Sequence, residues 1–282
     1  MENIDINKMK LLAKNGDVNA ISDLGYYYRE GIHVRKNHRK SFEYFKKGIE
    51  LNSSYLIWCL ADAYAYGEGT KKNLKNAFKY YLLAAKLGEP EAITTLGVCY
   101  FYGKGIKKNV KKAIKYYRLA TKGKDICAYF NLGLCYEWGD GVKKNNKKAF
   151  EFFLKAAHLG HSRSLYKVGK CYVEGKGVTK NYKEALKWFK KSALEKDPEA
   201  LSYLGICFHN GWGVKKDFKK SIEYCKKALS LGDDIANYNL GLCYLDGEGV
   251  KKNINKAKKY FIKAKKMGID VKEELKRCKI NK

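Results

Sequence analysis

A chain of 282 residues with 45% hydrophobic residues and two prolines can bury a sizeable core, which excludes an intrinsically disordered protein. The longest apolar stretch, residues 55–66, is interrupted by Asp62 and falls short of the roughly 20 residues that span a bilayer. The formal net charge is +29, and only six of the 58 basic residues are arginine. We therefore expect a soluble, folded and lysine-rich protein with no membrane span.

A repeat of 36 residues runs through most of the chain. Its most regular element is a Leu-Gly pair, followed three residues later by an aromatic residue and then, in six of the seven copies, by Gly-x-Gly. The pairs are Leu24-Gly25, Leu60-Ala61, Leu96-Gly97, Leu132-Gly133, Val168-Gly169, Leu204-Gly205 and Leu240-Gly241. Seven copies in constant phase predict a repeat protein.

Each repeat is predicted to form two helices. In helix A a small residue, Leu, Gly and Tyr follow at i, i+4, i+5 and i+8, which places them on one helical face. Glycine inside a helix costs about 1 kcal/mol relative to alanine, so its recurrence indicates close approach of another helix. Helix B is predicted to bury paired aromatics such as Tyr116-Tyr117 and to end at glycines such as Gly88. It should begin at N-caps that recur with the same period, namely Asn37, Asn73, Asn109, Asn145, Asn181, Asp217 and Asn253.

The motif Leu-Gly-x-Cys-Tyr-x-x-Gly-x-Gly-Val-x-x-Asn-x-x-Lys-Ala, at residues 132–149, resembles the Sel1-like repeat, a relative of the tetratricopeptide repeat. The resemblance covers about nine-tenths of the chain, in strict phase. It implies an all-α fold in which antiparallel helix pairs stack into a right-handed superhelical solenoid. It also implies a role as an adaptor or scaffold in protein complexes, with no shared catalytic residue.

The period also predicts the domain organisation. We expect seven repeats at residues 18–53, 54–89, 90–125, 126–161, 162–197, 198–233 and 234–268. A stacked array needs a polar cap at each end. Capping helices are therefore expected within residues 1–17 and 269–282.

The cysteines are predicted to be reduced. Five of the nine share one repeat position and are expected to be small buried hydrophobes: Cys99, Cys135, Cys171, Cys207 and Cys243. Packed helices lie about 8–10 Å apart, beyond the roughly 7 Å Cα limit for a disulfide. Secreted cysteine-rich relatives carry a Cys pair where this chain has Ala85 and Ile93, and residues 1–16 lack the apolar run of a secretory signal. We therefore expect a cytoplasmic or nuclear protein. The chain has no Cys-x-x-Cys motif, so no zinc site is expected.

One catalytic signature bears on function, because some of those relatives have been linked to β-lactamase activity. Ser164-Leu165-Tyr166-Lys167 matches Ser-x-x-Lys, but Ser-Asp-Asn and Lys-Thr-Gly are both missing. The match also falls on the repeat position of the core residue Ala92. The sequence therefore predicts no enzyme and no cofactor, and a hydrolase is the third alternative for function.

A stripe along the A helices is predicted to bind a partner. Positions equivalent to 95, 98 and 102 share a face by i, i+3, i+7 spacing and vary between repeats, as expected for the exposed concave side of a solenoid. This A-helix stripe comprises Asp62, Tyr66, Thr95, Tyr102, Asn131, Trp138, Lys167, Lys170, Tyr203 and Asn239. Tyr66, Tyr102 and Trp138 would be its anchors, since aromatics dominate interface energetics. Alternatively, these rings pack against the loop of the next repeat.

A second candidate surface is basic. Lysine pairs precede the helix B caps and define a lysine edge, comprising Lys71, Lys72, Lys107, Lys108, Lys143, Lys144, Lys215, Lys216, Lys251 and Lys252. At spacings near the Debye length of about 8 Å their potentials would add and attract anions. The alternative is a merely solvated surface in a lysine-biased chain.

We therefore predict a non-catalytic adaptor whose partner is a protein or peptide, which could be acidic. The second hypothesis is a nucleic-acid-binding helical array of the pentatricopeptide kind. Its binding should be weak and non-specific at most, because arginine, the preferred residue for bidentate base and phosphate contacts, is scarce. The sequence leaves the partner and the oligomeric state open.

Overall fold

The computed structural model describes residues 5–280, and over this range it contains sixteen α-helices and no β-strand. In chain order they are α1 (Ile6–Lys14), α2 (Val18–Glu30), α3 (His38–Lys46), α4 (Ser54–Tyr66), α5 (Leu74–Lys86), α6 (Pro90–Tyr102), α7 (Val110–Lys122), α8 (Ile126–Trp138), α9 (Asn146–His158), α10 (Ser162–Glu174), α11 (Tyr182–Leu194), α12 (Pro198–Asn210), α13 (Phe218–Ser230), α14 (Ala236–Asp246), α15 (Ile254–Lys266) and α16 (Lys272–Ile280). Even-numbered helices are the A helices and odd-numbered helices the B helices. The all-α prediction is confirmed.

The chain divides into two compact units, unit 1 up to Lys143 with α1–α8 and unit 2 from Lys144 with α9–α16. Within each unit, every helix packs against the next one along the chain. The helices α1 and α16 fall inside the predicted terminal segments 1–17 and 269–282. Residues 1–4 and 281–282 of those segments lie outside the described range.

Helix B begins where the sequence predicts. Each Asn or Asp at the cap accepts a hydrogen bond from the backbone N–H three residues later, as Asn109 Oδ1 does from Lys112 at 2.9 Å. The other six caps behave in the same way. The side chain thereby satisfies one of the N–H groups that a helix start leaves without a partner.

The repeated glycine in helix A marks close helix packing, as predicted. A Cβ atom added at Gly97 would lie 2.4 Å from Cε1 of Tyr117, which is buried in α7. The same geometry recurs at Gly25 with Phe45, at Gly169 with Phe189 and at Gly241 with Phe261. The Leu or Val before each glycine is fully buried. In these repeats the core is rebuilt from one aliphatic side chain and one aromatic ring, whereas in the sixth repeat Gly205 faces the buried thiol of Cys225.

The prediction that both members of each aromatic pair are buried is wrong for most repeats. Tyr117 is 2% exposed, whereas Tyr116 before it is half-buried. Adjacent residues on a helix point about 100° apart, so the two rings cannot face the same core. Tyr116 instead stacks on Tyr100, with ring centroids 5.5 Å apart.

The ends of the B helices require a left-handed residue. Gly88 provides it after α5 with a φ of 94°, and glycine adopts this conformation without strain. Three repeats lack that glycine, and Asn52, Lys124 and Lys196 take its place at φ values of 48°, 59° and 57°. The two lysines therefore hold a backbone conformation that is unfavourable for L-residues.

Candidate partner-binding site

Three exposed aromatic rings stand on successive repeats of unit 1. Tyr66, Tyr102 and Trp138 are 72%, 65% and 67% exposed. Each is the last residue of its A helix, α4, α6 or α8. We call these three residues the aromatic ridge. The alternative, that they are covered by the loop of the next repeat, is wrong.

The turn after each A helix explains this exposure. Gly103 follows Tyr102 with a φ of 75°, and its N–H donates to the Cys99 carbonyl at 2.8 Å. The chain therefore leaves the helix axis immediately after the aromatic residue, and no further helical turn covers the ring. The second glycine of the turn, Gly105, packs so closely on α5 that a Cβ atom would lie 1.9 Å from the Leu74 carbonyl oxygen. This contact fixes the turn, and with it the end of the helix.

Tyr81 is a buried phenol close to the ridge residue Tyr66. Burial raises the pKa of Tyr81, and the nearby Asp62, Cys99 and Tyr66 raise it further. The Tyr81 hydroxyl donates a hydrogen bond to Asp62 Oδ1. Asp62 is half-buried, and its burial raises the pKa of its carboxyl group. The carboxyl group of the predicted contact residue Asp62 is therefore largely engaged in contacts within the protein.

The rest of the A-helix stripe is less exposed than its spacing predicts. Asn239 is buried, at 7% exposure, which corrects its assignment to an exposed surface. Tyr203 is half-buried, with its ring centroid 5.6 Å from that of Tyr166 and 5.0 Å from that of Phe189. Since A helices of successive repeats lie side by side, the neighbouring helix covers positions in mid-helix. Among the stripe positions of the second to seventh repeats, only the last residue of the helix is exposed.

The remaining stripe residues are half-buried. Thr95 donates its hydroxyl hydrogen to the Glu91 carbonyl at 2.9 Å, and Asn131 lies at the equivalent position of α8. In unit 2, Lys167 Nζ lies 5.6 Å from the Phe153 ring centroid and Lys170 Nζ lies 3.9 Å from Glu174 Oε1. The structure therefore singles out the aromatic ridge from the ten predicted contact residues.

The ridge position carries polar side chains in unit 2. Glu174, Asn210 and Asp246 end helices α10, α12 and α14. Asp246 Oδ1 accepts a hydrogen bond from Arg277 Nη2 at 2.6 Å. Exposed aromatic residues at this position are thus confined to the second, third and fourth repeats.

All ten residues of the lysine edge are exposed. Lys71, Lys72, Lys107, Lys108 and Lys143 belong to unit 1, and Lys144, Lys215, Lys216, Lys251 and Lys252 belong to unit 2. None of them forms an ion pair with a carboxylate in the described part of the chain. Lys108 Nζ lies 5.8 Å from the Phe101 ring centroid.

Sequence reasoning missed a third surface, a row of stacked aromatic pairs. Tyr100 and Tyr116 stack with Lys112 Nζ 5.4 Å from the Tyr100 centroid, and they line a groove of about 390 Å³ with Lys115 and Leu119. Stacked pairs recur at Tyr28 with Tyr44, Tyr64 with Tyr80, Phe208 with Tyr224 and Tyr244 with Tyr260. The signal was present in the sequence, because both members of each pair recur with the 36-residue period.

The chain matches the sequence profile of the Sel1 repeat at residues 18–53, 60–89, 90–125, 128–161, 162–197, 198–233 and 234–269. The chain belongs to the Sel1 repeat family. Sel1 repeats generally mediate protein–protein interactions. No curated protein sequence matches the chain.

Two solved structures show how far this similarity extends. A protective antigen of uropathogenic Escherichia coli with an SLR fold is 29% identical, with a TM-score of 0.83 over 94% of this chain and 57% of that one. This Sel1 repeat protein thus spans little more than half of that antigen. A Sel1 repeat protein from Oxalobacter formigenes is 27% identical, with a TM-score of 0.73 over 93% of this chain and 100% of that one. Both support the helical solenoid.

The Ser-x-x-Lys match lies inside a Sel1 repeat core. Ser164 is fully buried, and its hydroxyl lies 2.9 Å from His161 Nδ1. His161 is the N-cap of α10, and its ring nitrogen also accepts the Ser164 N–H at 3.2 Å. The Ser164 hydroxyl is therefore part of a helix cap with no access for a substrate, as its repeat position predicts.

The cysteines of this Sel1 protein are mostly buried. Eight of the nine have little solvent exposure, and Cys127 is the exposed one. Burial raises the pKa of Cys59 and Cys207 to about 12, which suppresses the reactive thiolate at neutral pH. Within residues 5–280, no three His, Cys, Asp or Glu side chains converge as a metal site would require. In the same range, no helix is long and apolar enough to cross a bilayer.

Proposed function

We propose that this Sel1 repeat protein is a non-catalytic scaffold that binds a peptide or protein at the aromatic ridge. The observation that carries the proposal is the exposure of Tyr66, Tyr102 and Trp138, at 65–72%, on three successive repeats. Large aromatic side chains are the residues that most often anchor protein interfaces. A row of three is more than a soluble protein needs to leave in water.

The first experiment compares two matched triple variants. Tyr66→Ala, Tyr102→Ala and Trp138→Ala remove the ridge, whereas Leu194→Ala, Leu231→Ala and Met267→Ala remove exposed side chains at the ends of B helices. The protein and both variants are used as bait in the native source, and each captured partner is then titrated in purified form. We expect the ridge variant to weaken binding by at least about 2 kcal/mol, the scale of interface hot spots.

Thermal melting separates this result from a loss of folding. Both triple variants should melt within a few degrees of the parent, because the truncated side chains contact little of the core. Equal loss of partner binding in both variants would contradict the proposal. A ridge variant that melts much earlier would show that the rings support the fold.

The lysine edge favours a second, weaker activity, the binding of anionic surfaces such as nucleic acid. Its ten lysines are exposed, and none of them pairs with a carboxylate within residues 5–280. Clustered lysines attract phosphates without reading sequence. We propose weak and non-specific binding that is accessory to protein recognition, and its salt dependence provides the test described below.

The proposal includes a reducing compartment, the cytoplasm or the nucleus. Its support is the exposed thiol of Cys127 beside eight buried cysteines, since an exposed thiol is readily oxidised or crosslinked in an oxidising compartment. Immunofluorescence of the tagged protein in its native source tests this. A secreted protein with mixed disulfides at Cys127 would contradict it.

A further inference from the structure

In unit 1 the aromatic ridge and the lysine edge are parts of one surface. Each ridge tyrosine is followed by a glycine, and a lysine of the edge packs against that glycine. A Cβ atom added at Gly67 would lie 3.3 Å from Cβ of Lys72, and one added at Gly103 would lie 3.4 Å from Cβ of Lys108. The turn after the A helix therefore brings each of these lysines back to the residue next to the exposed ring.

The ammonium groups near Tyr102 lie against aromatic rings. Lys104 Nζ is 5.6 Å from the Tyr102 ring centroid, and Lys108 Nζ is 5.8 Å from that of Phe101. The two rings meet edge to face, with their centroids 4.9 Å apart. Both cations are within the distance at which cation–π attraction acts. Because an ammonium group has three N–H donors, a carboxylate at this part of the ridge would find donors directly beside apolar ring surface.

Positive charge dominates the turns that follow the ridge residues. Within unit 1, residues 67–73, 103–109 and 139–143 contain two carboxylates, the half-buried Glu68 and the exposed Asp140. Charges closer together than the Debye length of about 8 Å reinforce one another, as those of adjacent lysines do. The same turns contain six lysines, all exposed and none paired with a carboxylate within residues 5–280, namely Lys71, Lys72, Lys104, Lys107, Lys108 and Lys143.

The helices that carry the ridge do not reverse this balance. α4, α6 and α8 contain no lysine or arginine and one carboxylate each, Asp62, Glu91 and Glu137. Asp62 accepts the Tyr81 hydrogen bond, Glu91 lies in the first turn of α6, far from its ridge end, and Glu137 is half-buried. The partial charges of the helix ends at each turn, negative for helix A and positive for helix B, oppose each other. The lysines therefore set the sign of the potential beside the rings.

From these observations we infer that the aromatic ridge and the adjoining lysines of unit 1 together bind an acidic protein segment that carries large apolar side chains. The apolar side chains contact the rings, and the carboxylates pair with the lysines beside them. This inference rests on the proposed scaffold function, which makes the partner a protein. Apolar anchors next to charged groups are the usual make-up of such interfaces, in which the anchors supply most of the affinity and complementary charge speeds association.

The test uses three labelled peptides of the same length. The first repeats the unit Leu-Glu-Ser, the second replaces every glutamate by glutamine, and the third replaces every leucine by serine. The second peptide therefore lacks the charge and the third lacks the apolar side chains. Fluorescence anisotropy with the full chain at physiological salt should show the Leu-Glu-Ser peptide binding about tenfold or more tightly than either of the other two.

Unit 2 offers a matched control for the lysines, because its turns repeat the same packing without the rings. A Cβ atom added at Gly211, which follows Asn210, would lie 3.0 Å from Cγ of Lys216. The ridge triple variant and the replacement of four unit 1 lysines by Gln should each weaken binding of the Leu-Glu-Ser peptide by about tenfold. Removal of the same charge from unit 2 should change it less than about twofold. The two sets are Lys71, Lys72, Lys107 and Lys108 in unit 1, and Lys215, Lys216, Lys251 and Lys252 in unit 2.

Three outcomes would overturn the inference. The first is that the Leu-Glu-Ser peptide binds no better than either of the other two, or not measurably. The second is that the unit 2 lysine variant loses as much affinity as the unit 1 variant, since binding would then follow the charge of the whole chain. The third is a DNA duplex that displaces the peptide at physiological salt and whose own binding is lost in the ridge variant, which would favour nucleic acid at this surface.

Failure of the inference is distinguishable from failure of the scaffold proposal. The scaffold proposal depends on the native partner captured with the full chain, and it would stand if the ridge triple variant loses that partner while the Leu-Glu-Ser peptide shows no preference.

Discussion

Replacement of Gly97 by alanine tests how closely helix A must approach helix B. The added Cβ atom would lie 2.4 Å from Cε1 and 2.6 Å from Cδ1 of Tyr117. Tyr117 is 2% exposed, so its ring has little room to move. Helix propensity alone predicts a gain of about 1 kcal/mol for Gly→Ala, but overpacking a core typically costs about 1–3 kcal/mol. We therefore expect the unfolding free energy to fall by about 1 kcal/mol.

The second repeat supplies the compensating change. It has Ala61 at the glycine position, and the opposing Tyr81 donates a hydrogen bond to Asp62. The double variant Gly97→Ala, Val98→Asp reproduces that arrangement opposite Tyr117, so it should recover part of the loss. Recovery would appear as a coupling energy in a double-mutant cycle.

Urea denaturation followed by far-UV circular dichroism measures these differences, and hydrogen exchange in α6 and α7 shows whether the loss is local, as repeat arrays allow. Gly123→Ala is the matched control. Gly123 has a φ of −82°, and the nearest atom to an added Cβ is the Ala120 carbonyl oxygen at 3.5 Å. It should not destabilise the chain. A stability gain of about 1 kcal/mol from Gly97→Ala would refute the packing argument.

The remaining predictions concern strain, thiols and salt. Lys124→Gly and Lys196→Gly should each raise the unfolding free energy by about 0.5–1 kcal/mol, because the backbone strain that glycine relieves outweighs the conformational entropy that it adds to the unfolded chain. Gly88→Lys should lower the melting temperature. Nine thiols should titrate after denaturation of reduced protein held under argon, and fewer than about seven would contradict the absence of bridging geometry. In the native state Cys127 should react first, since burial raises the pKa of Cys225 and Cys243 to about 12. Replacement of Lys107, Lys108, Lys143 and Lys144 by Gln should make the negative slope of log K against log salt for duplex DNA less steep, by up to about 0.9 per lost phosphate contact. The melting temperature should not change. Tight, sequence-selective binding at about 200 mM salt would instead favour the nucleic-acid function.

Much of the fold follows from the sequence because its signals are local and repeated. The cap at Asn109 needs only its own side chain and the next turn of backbone. The packing role of Gly97 can be inferred because glycine, which destabilises a helix, recurs at the position where two helices pack closely. These features depend on contacts within one repeat, and the cap recurs seven times and the glycine six times along the chain.

Exposure was harder to predict, because it depends on the neighbouring repeat. Helical spacing places Tyr203 and Tyr102 on one stripe of their helices, yet Tyr203 packs against Tyr166 while Tyr102 is 65% exposed. Periodicity gives the direction of a side chain around its helix but not which part of that face an adjacent helix covers. Likewise, the pair Tyr116-Tyr117 indicates a buried aromatic residue without showing which ring is inside.

The last residue of helix A is the position at which the side chain can change with the smallest loss of stability. Its side chain lies beyond the last packed turn and directly before a glycine in the left-handed conformation, such as Gly67 after Tyr66. Core residues are tied to the 36-residue period because each packs against its neighbour, but this residue is not. The seven copies accordingly hold Glu30, Tyr66, Tyr102, Trp138, Glu174, Asn210 and Asp246. Since side chains that are 65–72% exposed bury little surface in the core, the presence of three large aromatics on consecutive repeats supports the proposed contact with a partner.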